Sequence, residues 1–403
     1  MSTKLIEMLS HYVMSTYSRE QIIVEGKGSR LKDSEGREFL DFTSGISVCN
    51  LGHSHPYLAD KIADQARKLV HTSNLFITEN QIFLAKKLSE ICMDGKVFFC
   101  NSGTEANEGM IKLARKYGNK KGRNLIIVMQ ESFHGRTLAS LAATGREKYR
   151  VGFEPHMKGF IHIPFNDIDA VKSELIKNEG KVAAVMLEPI QGEGGIIPAN
   201  KNYLEQLRKI CTDEDILLMF DEVQTGMGRT GRWFAHQLYD VKPDVISIAK
   251  ALGNGFPIAA FIAGRKYSET LTAGMHASTF GGTPLACAAA LAVIDVFEKE
   301  NVLNNCKEMS EFLKDEFSKL KAEFDIIKEI RGRGLMIGIE LKSNSADVVK
   351  KARENGLLLV TAGEGVIRFY PPLNISKNDL SEGIDIFKKA IFQVSNLNKS
   401  MCN

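Results

Sequence analysis

Seven apolar, β-rich runs alternate with stretches of helical periodicity and limit what this chain can fold into more than any other feature. They are KVFFC (96–100), NLIIVM (124–129), FIHIPF (160–165), VAAVMLEP (182–189), ILLMFDEV (216–223), VISIAK (245–250) and AAFIAG (259–264). A strand apolar at every position has no solvent face, and helices between such strands supply the crossovers, so the runs predict a parallel sheet covered on both sides. Ligands of such sheets bind beyond the carboxyl ends of the strands. The polar residues that terminate these runs are therefore the ones to read for chemistry.

The flanking regions read differently. Three short β-like pieces, around 22–24, 29–32 and 38–42, open the chain with turns at GKG and DSEG. Helical patterns follow in HPYLADKIADQARKLV and TENQIFLAKKLSEIC, the second with Thr78 as its expected N-cap. A long helical stretch from about 284 leads to IIKEIRGRGLMIGIEL, GLLLV and VIRFYPPL, which alternate with helices at 345–355 and 377–395. This predicts a second α/β unit that takes in the N-terminal strands. The expected division is a segment 1–50 packing with the smaller unit, a large domain 51–285 and a small domain 286–403.

Composition narrows the class. The chain has 403 residues, 44% of them hydrophobic and 25% charged, in the range of an ordinary multidomain globular enzyme. A net charge of +3 without a dense Lys/Arg block argues against nucleic acid and for a small-molecule substrate. No apolar run approaches the roughly 20 residues that span a bilayer. The opening MSTKLIEMLSHYVMS lacks the apolar core and cleavage site of a signal peptide, so a cytoplasmic location is expected. The seven cysteines are scattered without a C-x-x-C pair and read as reduced thiols. Of nine scattered histidines the closest pair is in GHSHP, with no cysteine or carboxylate cluster beside it, so no metal site is expected.

Four strand ends carry suggestive residues. FFCNSGTEANE (98–108) ends a strand and opens a helix through Ser102, Gly103 and Thr104. This is either a tight βα turn with an N-cap or a place where backbone amides and a helix N-terminus hold an anion. It contains no P-loop and no strand-linked G-x-G-x-x-G. LLMFDEVQTGMGRTG (217–231) places Asp221 at the end of an apolar strand, where a carboxylate needs a hydrogen-bonded cationic partner. That partner can be a salt-bridging side chain, a metal or the protonated nitrogen of an aromatic ring. DVISIAKALGNGF (244–256) places Lys250 at a third end, as an ion-paired or snorkelling lysine or as a desolvated amine able to form a Schiff base with an aldehyde. ESFHGRTLAS (131–140) offers Phe133, a core side chain or a stacking surface for a flat ring, and Arg136, a surface cation or a fork for a carboxylate. An anion cradle, a buried aspartate and a strand-end lysine together match what pyridoxal 5'-phosphate needs.

With these residues assembled, the chain resembles the class III aminotransferases, which use pyridoxal 5'-phosphate on the type I fold. Within that class it is most similar to the acetylornithine aminotransferases. The likeness runs from about residue 15 to the C-terminus through LGHSHP, HTSNLF, FFCNSGTEANE, FHGRTLASLAATG, EPIQGEGG, FDEVQTGMGRTG, AKALGNGFPIAA, HASTFGGTPLACAAA and RGRGLMIGIEL. It implies a large domain with a mostly parallel seven-stranded sheet, a smaller α/β domain, and Lys250 as the Schiff-base lysine and proton shuttle. It further implies Asp221 at the pyridine nitrogen, Gln224 at the ring hydroxyl, Phe133 stacked on the ring, and Gly103 and Thr104 at the phosphate. Thr279 joins the phosphate from the other subunit of a homodimer, and Ser278 and Asn74 reach the substrate from that subunit. Arg136 receives the substrate α-carboxylate, and Glu188 supports Asp221 from behind. The resemblance also implies that Glu193 neutralises Arg368 until 2-oxoglutarate arrives.

The implied reaction is ping-pong transfer from N2-acetyl-L-ornithine to 2-oxoglutarate in arginine biosynthesis. Ornithine, succinylornithine and 4-aminobutyrate aminotransferases share the cofactor residues. A glutamate-1-semialdehyde aminomutase and a non-catalytic homologue are more distant alternatives. Asn254, Ala259 and Thr283 depart from the commonest spelling of the family motifs without removing a cofactor contact.

Overall fold

The computed structural model describes residues 2–19 and 21–401. Its strands are β1 (Ile23–Lys27), β2 (Arg30–Asp33), β3 (Glu38–Asp41), β4 (Gly95–Cys100), β5 (Leu125–Met129), β6 (Phe160–Ile163), β7 (Val182–Leu187), β8 (Ile190–Gln191) and β9 (Ile197–Pro198). There follow β10 (Leu217–Asp221), β11 (Val245–Ile248), β12 (Ala259–Gly264), β13 (Ile327–Arg333), β14 (Met336–Leu341), β15 (Leu357–Leu358), β16 (Val360–Ala362) and β17 (Val366–Phe369).

All seven apolar runs enter one seven-stranded sheet, in the order β4-β12-β11-β10-β7-β5-β6. β7, β10 and β11 are buried at every position, which is why they read as unbroken apolar runs. One strand departs from the parallel pattern: β12 is antiparallel to both β11 and β4. A parallel connection needs a crossover of a dozen or more residues. Residues 249–258 supply only a short 3-10 turn at Lys250–Leu252, so the chain doubles back.

On one face lies the helix Gly103–Asn119, which buries Ala106, Met110 and Ala114 at helical spacing. The helix Lys201–Asp213 buries Tyr203, Leu204, Leu207 and Cys211 in the other main cluster. The long helical stretch predicted from 284 is two helices, Pro284–Lys299 and Val302–Glu323, broken at Asn301 in a left-handed conformation with φ 50°. The first of them packs on the helices Pro56–Lys68 and Glu79–Ile91. Thr78 stands at the N-cap of Glu79–Ile91, but its side chain makes no capping hydrogen bond.

The ends of the chain meet. β1, β2 and β3 form a sheet completed by β15, which runs parallel to β3. β13, β14, β17 and β16 form an antiparallel sheet beside it. The carboxyl ends of β4, β5, β7, β10 and β11 share one edge of the large sheet, and β12 begins there.

Leu218, with no exposed surface on the central strand β10, tests this packing. Leu218→Ala should lower stability by about 2–5 kcal/mol, read as a lower urea midpoint; an unchanged midpoint would contradict the burial described.

Candidate active site

The strand ends converge on a cavity of about 370 Å³ whose lining includes Gly103, Thr104, Phe133, Arg136, Asp221, Gln224 and Lys250. Asp221 is 4% exposed, and both of its carboxylate oxygens accept hydrogen bonds. Oδ2 accepts from Asn107 Nδ2 at 2.7 Å and lies 2.8 Å from His134 Nδ1. Oδ1 accepts from the Val223 amide at 3.0 Å and faces the Ser247 hydroxyl at 3.4 Å. Among the described residues no lysine or arginine pairs with it; its ion-pairing neighbour is His134. An ionised carboxylate only accepts, so His134 carries its proton on Nδ1. The opposite ring nitrogen, Nε2, is buried without a partner.

Lys250 follows β11 in a left-handed conformation with φ 48°, a strained geometry for a side-chain-bearing residue. It is partly exposed, into the cavity. Burial lowers its pKa to about 8; the Glu193 carboxylate works upward and Arg368 downward. The turn is anchored by Asn254, also left-handed at φ 46°. Its Oδ1 accepts from the Leu51 amide at 2.8 Å and its Nδ2 donates to the Gly52 carbonyl at 3.1 Å. This departure from the family spelling thus ties the lysine turn to the N-terminal segment.

The other end of the cavity is the N-terminus of Gly103–Asn119, closed by a capping box between Ser102 and Glu105. The first amides of a helix have no partner within it. A Cβ on Gly103 would come 2.7 Å from Val223, and one on Gly135 would come 2.2 Å from Thr104 Oγ1. The backbone therefore stays close and bare. Thr104 Oγ1 is held by Thr137 at 2.8 Å and Ser140 at 2.6 Å. A phosphate fits this cradle, an aromatic nitrogen fits Asp221 and an aldehyde fits the lysine.

Two guanidinium groups lie near the lysine. Arg136 places its Cζ 4.0 Å from the ring centroid of Tyr149 and 5.3 Å from that of Phe133. Arg368, 4% exposed, donates to Glu193 at 2.5 Å and to the Thr361 carbonyl at 2.8 Å. Burial works to raise the Glu193 pKa, but Arg368 outweighs it and holds the carboxyl below its ordinary range. The Tyr370 hydroxyl donates to Gln224 Oε1 at 2.6 Å, leaving the amide nitrogen of Gln224 as its donor end.

Glu188 does not hydrogen-bond Asp221: it accepts from the amides of Phe133 at 2.9 Å and Gly192 at 3.1 Å. It directly follows the adjacent strand β7, where the open backbone donors belong to loops, and burial raises its pKa. Asn74, Ser278 and Thr279 do not line the lysine cavity; within this chain they line a separate one. Asn74 donates there to the carbonyls of Ser278 and Gly281, each at 2.9 Å.

His134, Asn107 and Ser247 were not singled out from the sequence. Their available signal is polarity inside buried segments, since each is at most 1% exposed.

The amine of Lys250 should titrate early. Because its folded pKa is lowered, the reactive neutral form accumulates as pH rises and levels off above about pH 8. Reductive methylation of the protein with formaldehyde, followed by peptide mass spectrometry, should show this plateau for Lys250, whereas an ordinary lysine keeps gaining reactivity towards about pH 10.4. Glu193→Gln removes an upward influence and should move the midpoint lower; a move upward would overturn the electrostatic account.

Comparison with known proteins agrees with this chemistry. The model of the family described as aminotransferase class-III matches residues 13–391. The chain is 47% identical to the acetylornithine aminotransferase of Gloeobacter violaceus over 388 residues, covering 95% of this chain and 96% of that relative. It is also 47% identical to that of Methanocaldococcus jannaschii over 393 residues, covering 96% and 97%. Among solved structures, the ornithine aminotransferase of Toxoplasma gondii superposes with a TM-score of 0.94 at 31% identity, over 98% of this chain and 96% of that one. The N-acetylornithine aminotransferase of Stenotrophomonas maltophilia gives 0.83 at 40% identity, over 97% and 99%. The cavity at the strand ends is thus set in the pyridoxal-phosphate-dependent type I fold, and the chain belongs to the class III aminotransferases.

Proposed function

We propose that the protein transfers the distal amino group of N2-acetyl-L-ornithine to 2-oxoglutarate, giving N-acetyl-L-glutamate 5-semialdehyde and L-glutamate, a step of arginine biosynthesis. The observation that carries this reading is the Glu193–Arg368 pair, 2.5 Å apart and close enough to Lys250 to influence its charge. The reaction needs two substrates in turn, and only one of them carries a carboxylate at both ends. A guanidinium masked by a carboxylate serves the amino donor, and the same guanidinium unmasked serves 2-oxoglutarate. The relatives at 44–47% identity that bear the acetylornithine name support it.

Pyridoxal phosphate, when bound, supplies an aldehyde for the amino group and an electron sink for the deprotonated substrate carbon. The protein supplies the rest. Asp221, fixed by His134 and Asn107, would hold the proton on the pyridine nitrogen. Gly103 and Thr104 would hold the phosphate, Phe133 the ring face and Gln224 the ring hydroxyl. Lys250, with its pKa near 8, is suited to take a proton from the substrate carbon and return it. Arg136 would bind the α-carboxylate.

Asn74, Ser278 and Thr279 fit a homodimer in which each subunit completes the other's site. Leu75, Phe76 and Ile77, which are 86%, 66% and 87% exposed, support this, since such a run is covered in a stable assembly. Among the described residues no helix is long and apolar enough to cross a membrane; a cytoplasmic location is part of the same proposal.

The ornithine reading draws on the TM-score of 0.94, higher than the 0.83 to the acetylornithine enzyme. Backbone superposition does not set donor choice, which depends on pocket side chains. Sequence identity runs the other way, 31% against 40%.

A panel of donors assayed with 2-oxoglutarate should give the highest kcat/KM for acetylornithine; preference for ornithine would replace the proposal. Glu193→Ala should alter the ranking of donors more than it weakens cofactor binding, and a uniform loss across all donors would count against the switch.

A further inference from the structure

Arg136 poses a physical problem. It is an exposed side chain on the cavity rim, and among the described residues it makes no ion pair or hydrogen bond. An arginine carries a large rotamer entropy, so a free one is a poor receptor for a carboxylate. Its organisation must come from elsewhere, and among the described residues it lies over two rings: Tyr149 at 4.0 Å and Phe133 at 5.3 Å.

We propose that Tyr149 is the positioning residue for Arg136 and thereby sets the affinity of the site for carboxylate-bearing substrates. This rests on the assignment of the substrate carboxylate to Arg136. Stacking engages the face of the guanidinium and leaves its in-plane N–H donors free. A carboxylate partner in the protein would have used those same donors. The ring therefore holds the cation without competing with the ligand.

The platform is itself fixed. Tyr149 ends a 3-10 turn, its amide donating to the Arg146 carbonyl at 3.1 Å. Arg146 is 7% exposed, donates to the Glu193 carbonyl at 2.5 Å and pairs with Glu131 at 3.3 Å. Phe133 meets Tyr149 edge to face, with centroids 5.6 Å apart at 80°. One short segment thus supports Arg136 through a ring and the Glu193 loop through a guanidinium. Among the described residues the Tyr149 hydroxyl makes no hydrogen bond, so the ring is the part that acts.

The test uses cofactor-loaded enzyme with Tyr149→Leu, Tyr149→Phe, Arg136→Ala and the double variant Tyr149→Leu/Arg136→Ala. Three readouts are compared: KM and kcat for acetylornithine, calorimetric binding of glutarate as a carboxylate without an amine, and the half-reaction with butylamine as an amine without a carboxylate. Tyr149→Leu should raise the acetylornithine KM and the glutarate Kd by about threefold to tenfold, the range of a partly desolvated cation–π contact, with the butylamine rate unchanged. Tyr149→Phe should behave as wild type, and Tyr149→Leu should add nothing once Arg136 is alanine. If Arg136→Ala weakens glutarate binding and Tyr149→Leu does not, the positioning role is wrong and the carboxylate assignment stands. If Arg136→Ala leaves glutarate binding intact, both fall. An equal loss with butylamine would show Tyr149 to be a general structural residue.

Discussion

A carboxylate sealed at the end of a fully buried strand governs the geometry of this protein. Asp221 cannot remain there without donors, and the donors come from three different elements. Asn107 belongs to the helix whose N-terminus forms the anion cradle, so satisfying Asp221 also sets the distance between a ring nitrogen and a phosphate. His134 belongs to the loop that carries Phe133 and Arg136. Ser247 lies on β11, three residues before Lys250, and donates to Asn107 at 2.7 Å. One buried charge therefore fixes the cradle, the ring-stacking loop and the lysine in a common frame. A substitution at Ser247, which does not line the cavity, would disturb that frame from behind it.

A second buried charge attaches the remaining layers. Arg229 has no exposed surface, and burial lowers its pKa to about 10. Its donors reach Ser47 at 3.0 Å, Asn50, the Leu335 carbonyl at 3.1 Å and the Pro371 carbonyl at 2.6 Å. These acceptors are neutral and lie in the N-terminal segment and the C-terminal third. An arginine can be held this way because its five donors fan out in one plane, and four of them here meet an oxygen. The same junction leads back to the site. Ser47 donates to the Gln224 carbonyl at 2.9 Å, and Tyr370, beside Pro371, donates to the Gln224 side chain.

The sheet was legible because burial on both faces writes itself as uninterrupted apolar runs. Strand direction was not: β12 is as apolar as its parallel neighbours, and only the lack of a helical period between 250 and 259 marks the reversal. Site residues at strand ends, such as Asp221 and Lys250, stood out as polar breaks in apolar runs. Asn107 and His134 did not, because their role depends on a partner 114 and 87 residues away, which local pattern cannot carry. Tyr149 was invisible for a related reason. An aromatic in a short polar segment has no periodicity, and its significance appears only once a cation is seen above its face. Glu188 was legible as a carboxylate closing an apolar run, but its partners, the amides of Phe133 and Gly192, were not, since those donors come from loops that local pattern does not place beside it.

The charges around Lys250 add a constraint on how substrates can alternate. Glu193 raises the lysine's pKa and Arg368 lowers it, so the paired side chains partly cancel at the amine. A substrate carboxylate that takes the place of Glu193 on Arg368 brings the same charge that it displaces. If Glu193 stays nearby, the added negative charge moves the lysine towards its protonated form; if it withdraws into solvent, the field is preserved. On the proposed assignment, an amino donor places only its amine-bearing methylene there; it brings no charge and leaves the pair closed, because opening it would strand a guanidinium that is only 4% exposed. On that assignment the cost of separating a buried pair would distinguish a dicarboxylate from a donor with a single carboxylate before any contact specific to either is made. Selectivity of this kind needs no rearrangement of the sheet or of the Asp221 network, only a local exchange of one carboxylate for another.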